Sequence, residues 1–190
     1  MSTFVVLEGI DGSGKSSVIE SIKEDHPEYH YTREPSDSEP GKLAKKAEAQ
    51  HHSPYLDLFL YLADRVEHTE EIEEKLESDG TVICDRYWGS TSAYQAASED
   101  ISLEYTESIQ MPFILNPDLT ILFDIDPEAS LERITERKDK SKYEQVDFLE
   151  KVRENYLELA KKHDWEVIDA KQKPEDVLAD VKKLIYGETD

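Results

Sequence analysis

Short apolar runs alternate with longer, mostly polar segments along this chain. The runs lie at residues 4–7, 29–32, 81–84, 119–123 and 165–168. Each run is nearly continuous, which is typical of parallel strands that are covered on both faces. Helices are predicted between them, with starts near Lys15, Pro54, Pro127, Glu144 and Pro174. This alternation predicts an α/β fold of three layers: a doubly wound, five-stranded parallel sheet with helices on both faces.

A single domain over residues 1–190 is predicted, because this length is typical of one domain and the chain contains no internal repeat or linker-like stretch. The sharpest change of composition is the charged, apolar-free segment 138–142, which lies between two predicted helices. That segment is either a mobile flap or a solvated turn.

The chain is strongly acidic, with 44 acidic and 22 basic residues and a formal net charge of −22. Such a surface repels polyanions, so we expect neither nucleic acid nor an anionic membrane as a partner. No apolar stretch approaches the length needed to cross a bilayer. The one cysteine, Cys84, lies in an apolar run and is predicted to be buried, which leaves no disulfide within the chain and fits a cytoplasmic location.

The segment from Gly9 to Ser16 follows the first apolar run and matches G-x-x-x-x-G-K-[ST] at every fixed position. A strand, a glycine loop and a helix in this order place backbone N–H groups and a helix N-terminus around phosphate oxygens. Lys15 is predicted to reach the β- and γ-phosphates, and Ser16 to offer its hydroxyl to Mg²⁺. The pattern predicts a nucleoside triphosphate site; the alternative is a turn in which the glycines serve geometry alone. The predicted contacts are Gly9, Asp11, Gly12, Ser13, Gly14, Lys15, Ser16 and Ser17.

Charged side chains also lie at the predicted carboxyl ends of strands, where parallel sheets bind ligands. The negative charge of Asp11, in the loop, is electrostatically costly beside phosphates unless it faces a substrate hydroxyl or a metal-bound water. The alternative is a turn aspartate that accepts hydrogen bonds from backbone amides. Arg33 offers a planar fork to a phosphate. Asp85 is suited to hold Mg²⁺ through water, and Arg86 to bridge donor and acceptor phosphates. The alternative for these two is a buried ion pair that serves stability alone.

The helix predicted over residues 54–78 carries two stripes at helical spacing. The apolar stripe, predicted to pack against the sheet, consists of Phe59, Ala63 and Val66. The other stripe consists of Tyr61, Arg65 and His68. An aromatic ring one turn from an arginine can stack on a base while the arginine donates to an exocyclic oxygen. The alternative is an aromatic–arginine pair on a solvated helix face.

Together these segments resemble the thymidylate kinase family, a group of nucleoside monophosphate kinases among the P-loop proteins. The matching segments are GIDGSGKSS, TREP, FLYLADRVEH, DRYWGSTSAYQ, PDLTILFDIDPEASLERI and DFLEKVRENYLELA. They run in the family's order across nearly the whole chain, and DRYWGSTSAYQ and LADRVEH are the most specific. The resemblance implies a P-loop kinase fold and transfer of the γ-phosphoryl group of ATP to dTMP, giving dTDP, with ATP and Mg²⁺ at the glycine loop.

The resemblance also implies which residues bind the base and sugar of dTMP. Tyr61 matches a residue that stacks on thymine, and Arg65 matches one that contacts a thymine carbonyl. Thr91 falls where the family places a polar contact to the base. Tyr94 matches a tyrosine that packs against the 2′ carbon of the sugar and disfavours ribonucleotides.

The same resemblance assigns the phosphate end of the acceptor. Asp11 matches a residue that binds the sugar 3′-hydroxyl, and Arg33 and Arg86 match arginines that hold the acceptor phosphate. The family's paired glycines and further arginine after TREP are absent, since this chain has Ser-Asp-Ser-Glu-Pro at 36–40. Lys42 or Lys45 would take the place of that arginine.

A lid over ATP is implied around residues 137–145. Some members of the family carry a basic residue in the glycine loop where this chain has Gly12, and members without it supply an arginine from the lid. By that resemblance Arg137 reaches the transferring phosphate and Arg133 lies near the adenine; the alternative is a charged helix face. Members commonly form homodimers, and the helix containing Phe59 is expected to contribute.

Two rival functions share part of this pattern. A deoxynucleoside kinase, or a kinase for another nucleoside monophosphate, also needs a glycine loop and a strand-end arginine. Arg33 and Arg86 indicate an acceptor that already carries a phosphate, which a deoxynucleoside kinase does not require. A nucleotide-dependent switch or binding module would leave the Tyr61–Arg65 pair unexplained.

Overall fold

A parallel sheet forms the centre of the fold in the computed structural model, which describes residues 2–48, 53–78, 80–98, 100–134 and 142–187. The strands in these ranges are β1 (Thr3–Glu8), β2 (His30–Arg33), β3 (Thr81–Asp85), β4 (Leu119–Asp124) and β5 (Glu166–Asp169). They lie in the order β2-β3-β1-β4-β5, and every pairing is parallel. Each predicted run overlaps one strand, so the predicted five-stranded α/β fold is confirmed.

Helices connect the strands. Within the described ranges they are α1 (Lys15–Asp25), α2 (Glu39–Glu48), α3 (Pro54–Glu77), α4 (Trp88–Ala96), α5 (Leu103–Gln110), α6 (Pro127–Arg133), α7 (Lys142–Lys162) and α8 (Pro174–Tyr186), with a short 3₁₀ helix at Met111–Phe113. The predicted starts at Lys15, Pro54, Pro127 and Pro174 are confirmed, and α7 begins two residues before the predicted Glu144. None of these helices combines the length and the apolarity that crossing a membrane requires.

The central strand β1 is completely covered. Phe4, Val5, Val6 and Leu7 are each at most 1% exposed, because helices pack on both faces of the sheet. Cys84 on β3 is also buried, as predicted, and burial raises the pKa of its thiol well above the usual value. The core thus fixes the positions at which β1 and β3 end.

The carboxyl ends of β1, β2 and β3 meet at one edge of the sheet. Leu7 of β1 lies beside Asp85 of β3, and Asp85 lies beside Arg33 of β2. Because β1 lies between β3 and β4, the connections diverge here and leave a crevice outside the strand ends. The topology therefore brings the glycine loop and the predicted strand-end charges together.

The longest helix, α3, is turned differently from the prediction. Phe59 and Val66, predicted to pack against the sheet, are 52% and 42% exposed, and Ala63 is exposed as well. The buried residues of α3 are Leu58, Leu62, Asp64, Arg65, His68 and Ile72. The prediction was wrong because α3 carries two apolar stripes, and the packed one includes an arginine and a histidine.

Candidate functional site

The glycine loop between β1 and α1 is pressed against neighbouring backbone. Gly9 has φ 142°, and a Cβ there would lie 2.7 Å from the carbonyl oxygen of Phe123. Gly12 has φ 76°, and a Cβ would lie 2.6 Å from the carbonyl oxygen of Ser130. Both positions therefore require glycine for conformation and for space. This also explains why no larger basic residue stands at Gly12.

Lys15 lies under this loop with its ammonium directed inward. It is 5% exposed, and Nζ donates to the carbonyl oxygens of Gly9 and Ile10 at 2.8 and 3.2 Å and to Ser13 Oγ at 3.2 Å. Burial, and to a smaller extent repulsion by Arg86, lower the pKa of Lys15 to about 7 despite the attraction of nearby acids. A negative charge placed in the loop would therefore be strongly favoured.

The N-terminus of α1 is open to an anion. Its N-cap is Gly14, which makes no side-chain cap, and no acidic residue lies in the first turn. The first backbone N–H groups of a helix have no partner within the helix, and its dipole favours negative charge there. The described geometry thus supports a phosphate site at the loop.

Two cavities adjoin at this edge of the sheet. The first, which we call the glycine-loop cavity, measures about 620 Å³, and its wall includes Asp11, Gly12, Ser13, Gly14, Lys15, Ser16, Ser17, Arg33, Asp85, Arg86 and Arg133. The second, the aromatic cavity, measures about 730 Å³, and its wall includes Asp11, Arg33, Lys45, Asp57, Tyr61, Arg86, Thr91 and Tyr94. Asp11, Arg33 and Arg86 line both. Charged groups of both signs therefore stand at the junction.

Arg86 occupies that junction in an unusual backbone conformation. Its φ is 70°, which residues other than glycine rarely adopt. Its guanidinium Nη2 donates to Asp11 Oδ1 at 2.7 Å, and its Cζ lies 5.3 Å from the ring centroid of Tyr94. Asp11 therefore orients Arg86, and the guanidinium faces whatever occupies either cavity.

Asp85 and Ser16 lie on the wall of the glycine-loop cavity. Asp85 Oδ1 is buried and has no hydrogen-bond partner among the described residues. An orphaned carboxylate oxygen and a hydroxyl-bearing residue on the wall of one cavity fit a hard cation such as Mg²⁺. The described residues contain no cluster of three acidic, His or Cys side chains that could hold a metal alone, so such a cation would take further ligands from phosphate and water.

Arg65 lies behind the wall of the aromatic cavity. It is fully buried, and its Nε donates to Glu34 Oε1 at 2.8 Å while Nη1 donates to Gln110 Oε1 at 2.6 Å. Its Nη2 donates to Thr91 Oγ1 at 3.3 Å, and Thr91 does line the cavity. Burial alone would raise the pKa of Glu34, but the charge and hydrogen bonds of Arg65 hold it below the usual value. A direct contact of Arg65 with a base stays a prediction.

The loop that departs from the family pattern is held by a residue the sequence did not single out. Buried Asp64 accepts from the backbone N–H of Ser36 at 2.8 Å and from the hydroxyls of Ser36 and Ser38 at 2.5 and 2.7 Å. This clamp sets the start of α2. Lys45 of α2 lines the aromatic cavity and pairs with Asp37 at 2.8 Å, whereas Lys42 pairs with Glu39 and does not line the cavity.

The remaining predicted basic residues are divided between described and undescribed segments. Arg133 lines the glycine-loop cavity, and its Nη2 donates to the carbonyl oxygen of Ala170 at 3.1 Å. Arg137 lies outside the described residues, as does most of the predicted lid at 137–145.

The comparisons with known proteins agree over almost the whole chain. A family model described as thymidylate kinase matches residues 7–181. A protein of Pyrobaculum aerophilum, named probable thymidylate kinase, is 44% identical over 96% of this chain and 95% of its own length. Proteins of the same name from Staphylothermus marinus and Halobacterium salinarum are 39% and 37% identical, over 96% and 95% of this chain and 94% of their own lengths.

Proposed function

This chain belongs to the thymidylate kinase family, and we propose that its glycine-loop cavity binds ATP while its aromatic cavity binds dTMP. The enzyme is an ATP-dependent phosphotransferase that converts dTMP to dTDP. The observation that carries the assignment of the cavities is their shared wall, where Asp11, Arg33 and Arg86 line both. Transfer between two nucleotides requires their phosphates to meet at such a junction.

On the donor side, we propose that the loop from Gly9 to Ser17 surrounds the phosphates of ATP. Lys15 would leave its carbonyl partners and bind the β- and γ-phosphates. The phosphates would favour the charged form of the ammonium, whose pKa is lowered to about 7 without them. Arg133, on the wall of the same cavity, is proposed to lie near the adenine. The proposed role of Arg137 at the transferring phosphate, and a lid at 137–145 over a single domain, depend on the family resemblance.

Mg²⁺ is proposed to bind at Ser16 and Asp85. The unpartnered Asp85 oxygen supports this assignment. When bound, the ion neutralises phosphate charge that develops during transfer. Asp85 and Arg86 are adjacent in the chain and line the same cavity, so a metal held by Asp85 and the guanidinium of Arg86 would both neutralise phosphate charge there.

On the acceptor side, Arg33 and Arg86 are proposed to hold the phosphate of dTMP and Asp11 its 3′-hydroxyl. Tyr61 would stack on thymine, and Thr91, backed by Arg65, would present polar groups to the base. Tyr94 would pack against the 2′ carbon of the sugar. Lys45, which faces this cavity, is proposed to replace the arginine missing from the family pattern.

Phosphoryl transfer requires mainly alignment and charge neutralisation from the protein, because the protein does little covalent chemistry in it. The proposed arrangement supplies both. The acceptor phosphate oxygen attacks the γ-phosphorus, and the bond to the β–γ bridging oxygen breaks. Arg86, at the junction, would stabilise negative charge that spreads over the equatorial oxygens. Exclusion of water protects the transferring group from hydrolysis.

A panel of acceptors tests the assignment of the aromatic cavity. With saturating ATP, we expect ADP release with dTMP and none with thymidine, because Arg33 and Arg86 need an acceptor phosphate. UMP is expected to react with a kcat/KM about a hundredfold lower, because its 2′-hydroxyl meets Tyr94. A coupled ADP-release assay measures all three. Turnover of thymidine equal to that of dTMP would contradict the proposed acceptor site.

We also propose that the enzyme is a homodimer through the exposed stripe of α3. Phe59 and Val66 are large apolar side chains that are 52% and 42% exposed at helical spacing. Replacing Phe59 with Glu is expected to convert a dimer to a monomer in light scattering coupled to size exclusion. Val167→Glu, at a similarly exposed apolar position on β5, is the control and should stay dimeric. A wild-type protein that is monomeric at every concentration would contradict the dimer.

We propose that the protein is cytoplasmic and has no nucleic-acid partner, because of its net charge and its cysteine content. The net charge of −22 opposes binding to polyanions. The only cysteine of the chain is a buried free thiol, so the fold needs no oxidising compartment.

A further inference from the structure

Glu8, at the carboxyl end of β1, is a carboxylate buried directly behind the site. It is 1% exposed. Its Oε1 accepts from the backbone N–H groups of Tyr87 and Ser90 at 3.0 and 3.1 Å. Its Oε2 accepts from Ser90 Oγ at 2.6 Å and from the hydroxyl of Tyr156 at 3.1 Å. Both oxygens are therefore engaged, by groups at the start of α4 and by the Tyr156 hydroxyl of α7.

The two hydroxyls that bind Glu8 also bind Arg86. Arg86 Nη1 donates to Ser90 Oγ at 3.1 Å and to the Tyr156 hydroxyl at 3.4 Å. The hydroxyl oxygens of Ser90 and Tyr156 lie 2.7 Å apart, so Glu8, the two hydroxyls and the guanidinium form one connected network. On its other side the same guanidinium donates to Asp11. Arg86 is thus held at Nη1 by the two hydroxyls that bind Glu8 and at Nη2 by Asp11.

Capping of α4 alone does not account for this arrangement. The backbone N–H groups of Tyr87 and Ser90 need only Oε1 of Glu8, whereas Oε2 is directed to the hydroxyls that contact Arg86. Burial raises the pKa of Glu8, while the Ser90 hydroxyl and the charge of Arg86 oppose the rise. A buried carboxylate is costly unless it is paired, and here the nearest cation in the network is Arg86.

We propose that Glu8 is a positioning residue that holds the Arg86 guanidinium in its transfer geometry through Ser90 and Tyr156. This inference rests on the proposed role of Arg86 at the junction of the two cavities. Tyr156 lies on α7 and Glu8 on β1, so the network joins three separate elements at one side chain. If Glu8 or Tyr156 is replaced, Arg86 is still present and charged, but its guanidinium can turn away from the orientation that the acceptor phosphate requires.

The variants Tyr156→Phe and Glu8→Gln test the proposal. Tyr156→Phe removes one hydroxyl and is expected to lower kcat about tenfold, because a small misplacement of a catalytic group is costly. Glu8→Gln is expected to lower kcat about thirtyfold for the same reason. Tyr31→Phe is the control: it also removes a tyrosine hydroxyl that donates to an internal acceptor, the carbonyl oxygen of His26 at 2.9 Å, and it contacts neither cavity. The kcat of Tyr31→Phe should equal that of the wild type, even if its Tm falls by as much as the Tm of Tyr156→Phe.

A double-mutant cycle with Arg86→Lys separates positioning from general stability. If Tyr156 acts through Arg86, Tyr156→Phe should change kcat less than about twofold in the Arg86→Lys background. Equal effects in both backgrounds, or an unchanged kcat in Tyr156→Phe, would overturn the inference while leaving the role of Arg86 intact. A fully active Arg86→Lys variant would instead overturn the proposed role of Arg86. It would also overturn the inference that Glu8 positions Arg86. If Glu8→Gln fails to fold, the cycle with Tyr156→Phe alone decides.

Discussion

Replacement of Arg86 with alanine is expected to lower kcat for dTMP phosphorylation by about a thousandfold, because an arginine at the transferring phosphate stabilises charge that exists only in the transition state. Arg86 lines both cavities and is held by Asp11 at 2.7 Å, so its guanidinium is already oriented before either nucleotide arrives. The measurement is steady-state kcat and KM with saturating ATP and varied dTMP.

The expected pattern distinguishes transition-state stabilisation from simple binding. Because Arg86 is also proposed to hold the acceptor phosphate, KM for dTMP should rise, but the fall in kcat should be the larger effect. The Kd for an ATP analogue in calorimetry should change little. Arg153→Ala is a matched control, since Arg153 forms a two-point ion pair with Asp124 at 2.6 and 2.8 Å and lines neither cavity. A kcat within tenfold of the wild type in Arg86→Ala would contradict the assignment.

The parts of the fold that sequence predicts correctly are those fixed by local pattern. The five apolar runs are strands because both faces of a central parallel sheet are buried, so each run reads as continuous. Proline at the first helical position identifies the starts of α3, α6 and α8, and the glycine loop identifies the start of α1. These features need no knowledge of distant contacts.

The helices that sequence misses are stabilised by contacts from elsewhere in the chain. α4 has the composition Trp-Gly-Ser-Thr-Ser-Ala-Tyr-Gln-Ala, which favours a helix weakly. Its first N–H groups are satisfied by Glu8, about eighty residues earlier. α2 contains Pro40 and Gly41 and begins where Asp64 of α3 clamps the preceding loop. No local pattern reveals either partner.

The candidate site divides in the same way. The glycine-loop motif identifies Lys15, and the positions of Arg33, Asp85 and Arg86 at predicted strand ends identify those three residues. The sequence does not predict the pairing of Glu34 with Arg65, or the link of Glu8 to Arg86 through Ser90, because both depend on how distant elements pack. One signal was available: Glu8 directly extends an apolar run, and an acid at the end of a buried strand needs a partner inside the protein.

Replacement of Lys15 with methionine is the second large expected effect, a fall in kcat of about a hundredfold or more. The methionine keeps the length and the apolar stem but removes the charge that is proposed to follow the transferring phosphate. Lys182→Met serves as the control, because it breaks an ion pair with Asp25 and neither residue lines a cavity. A Lys15→Met variant with near-normal kcat would contradict the role of Lys15 in transfer.

The same lysine also makes ATP binding depend on pH. In the free enzyme the pKa of Lys15 is about 7, so above that pH the side chain is largely neutral. Bound phosphates favour the charged form and raise that pKa, so binding takes up a proton above pH 7 and ATP affinity falls as pH rises, by up to about tenfold per pH unit. Below pH 7, Lys15 is charged in both states and contributes no pH dependence. Calorimetry with a non-hydrolysable ATP analogue, in buffers of different ionisation enthalpy, measures the proton uptake. Lys15→Met should lose that uptake, and the difference between the two proteins cancels the titration of the nucleotide itself; equal uptake in both would show that Lys15 does not gain a proton when ATP binds.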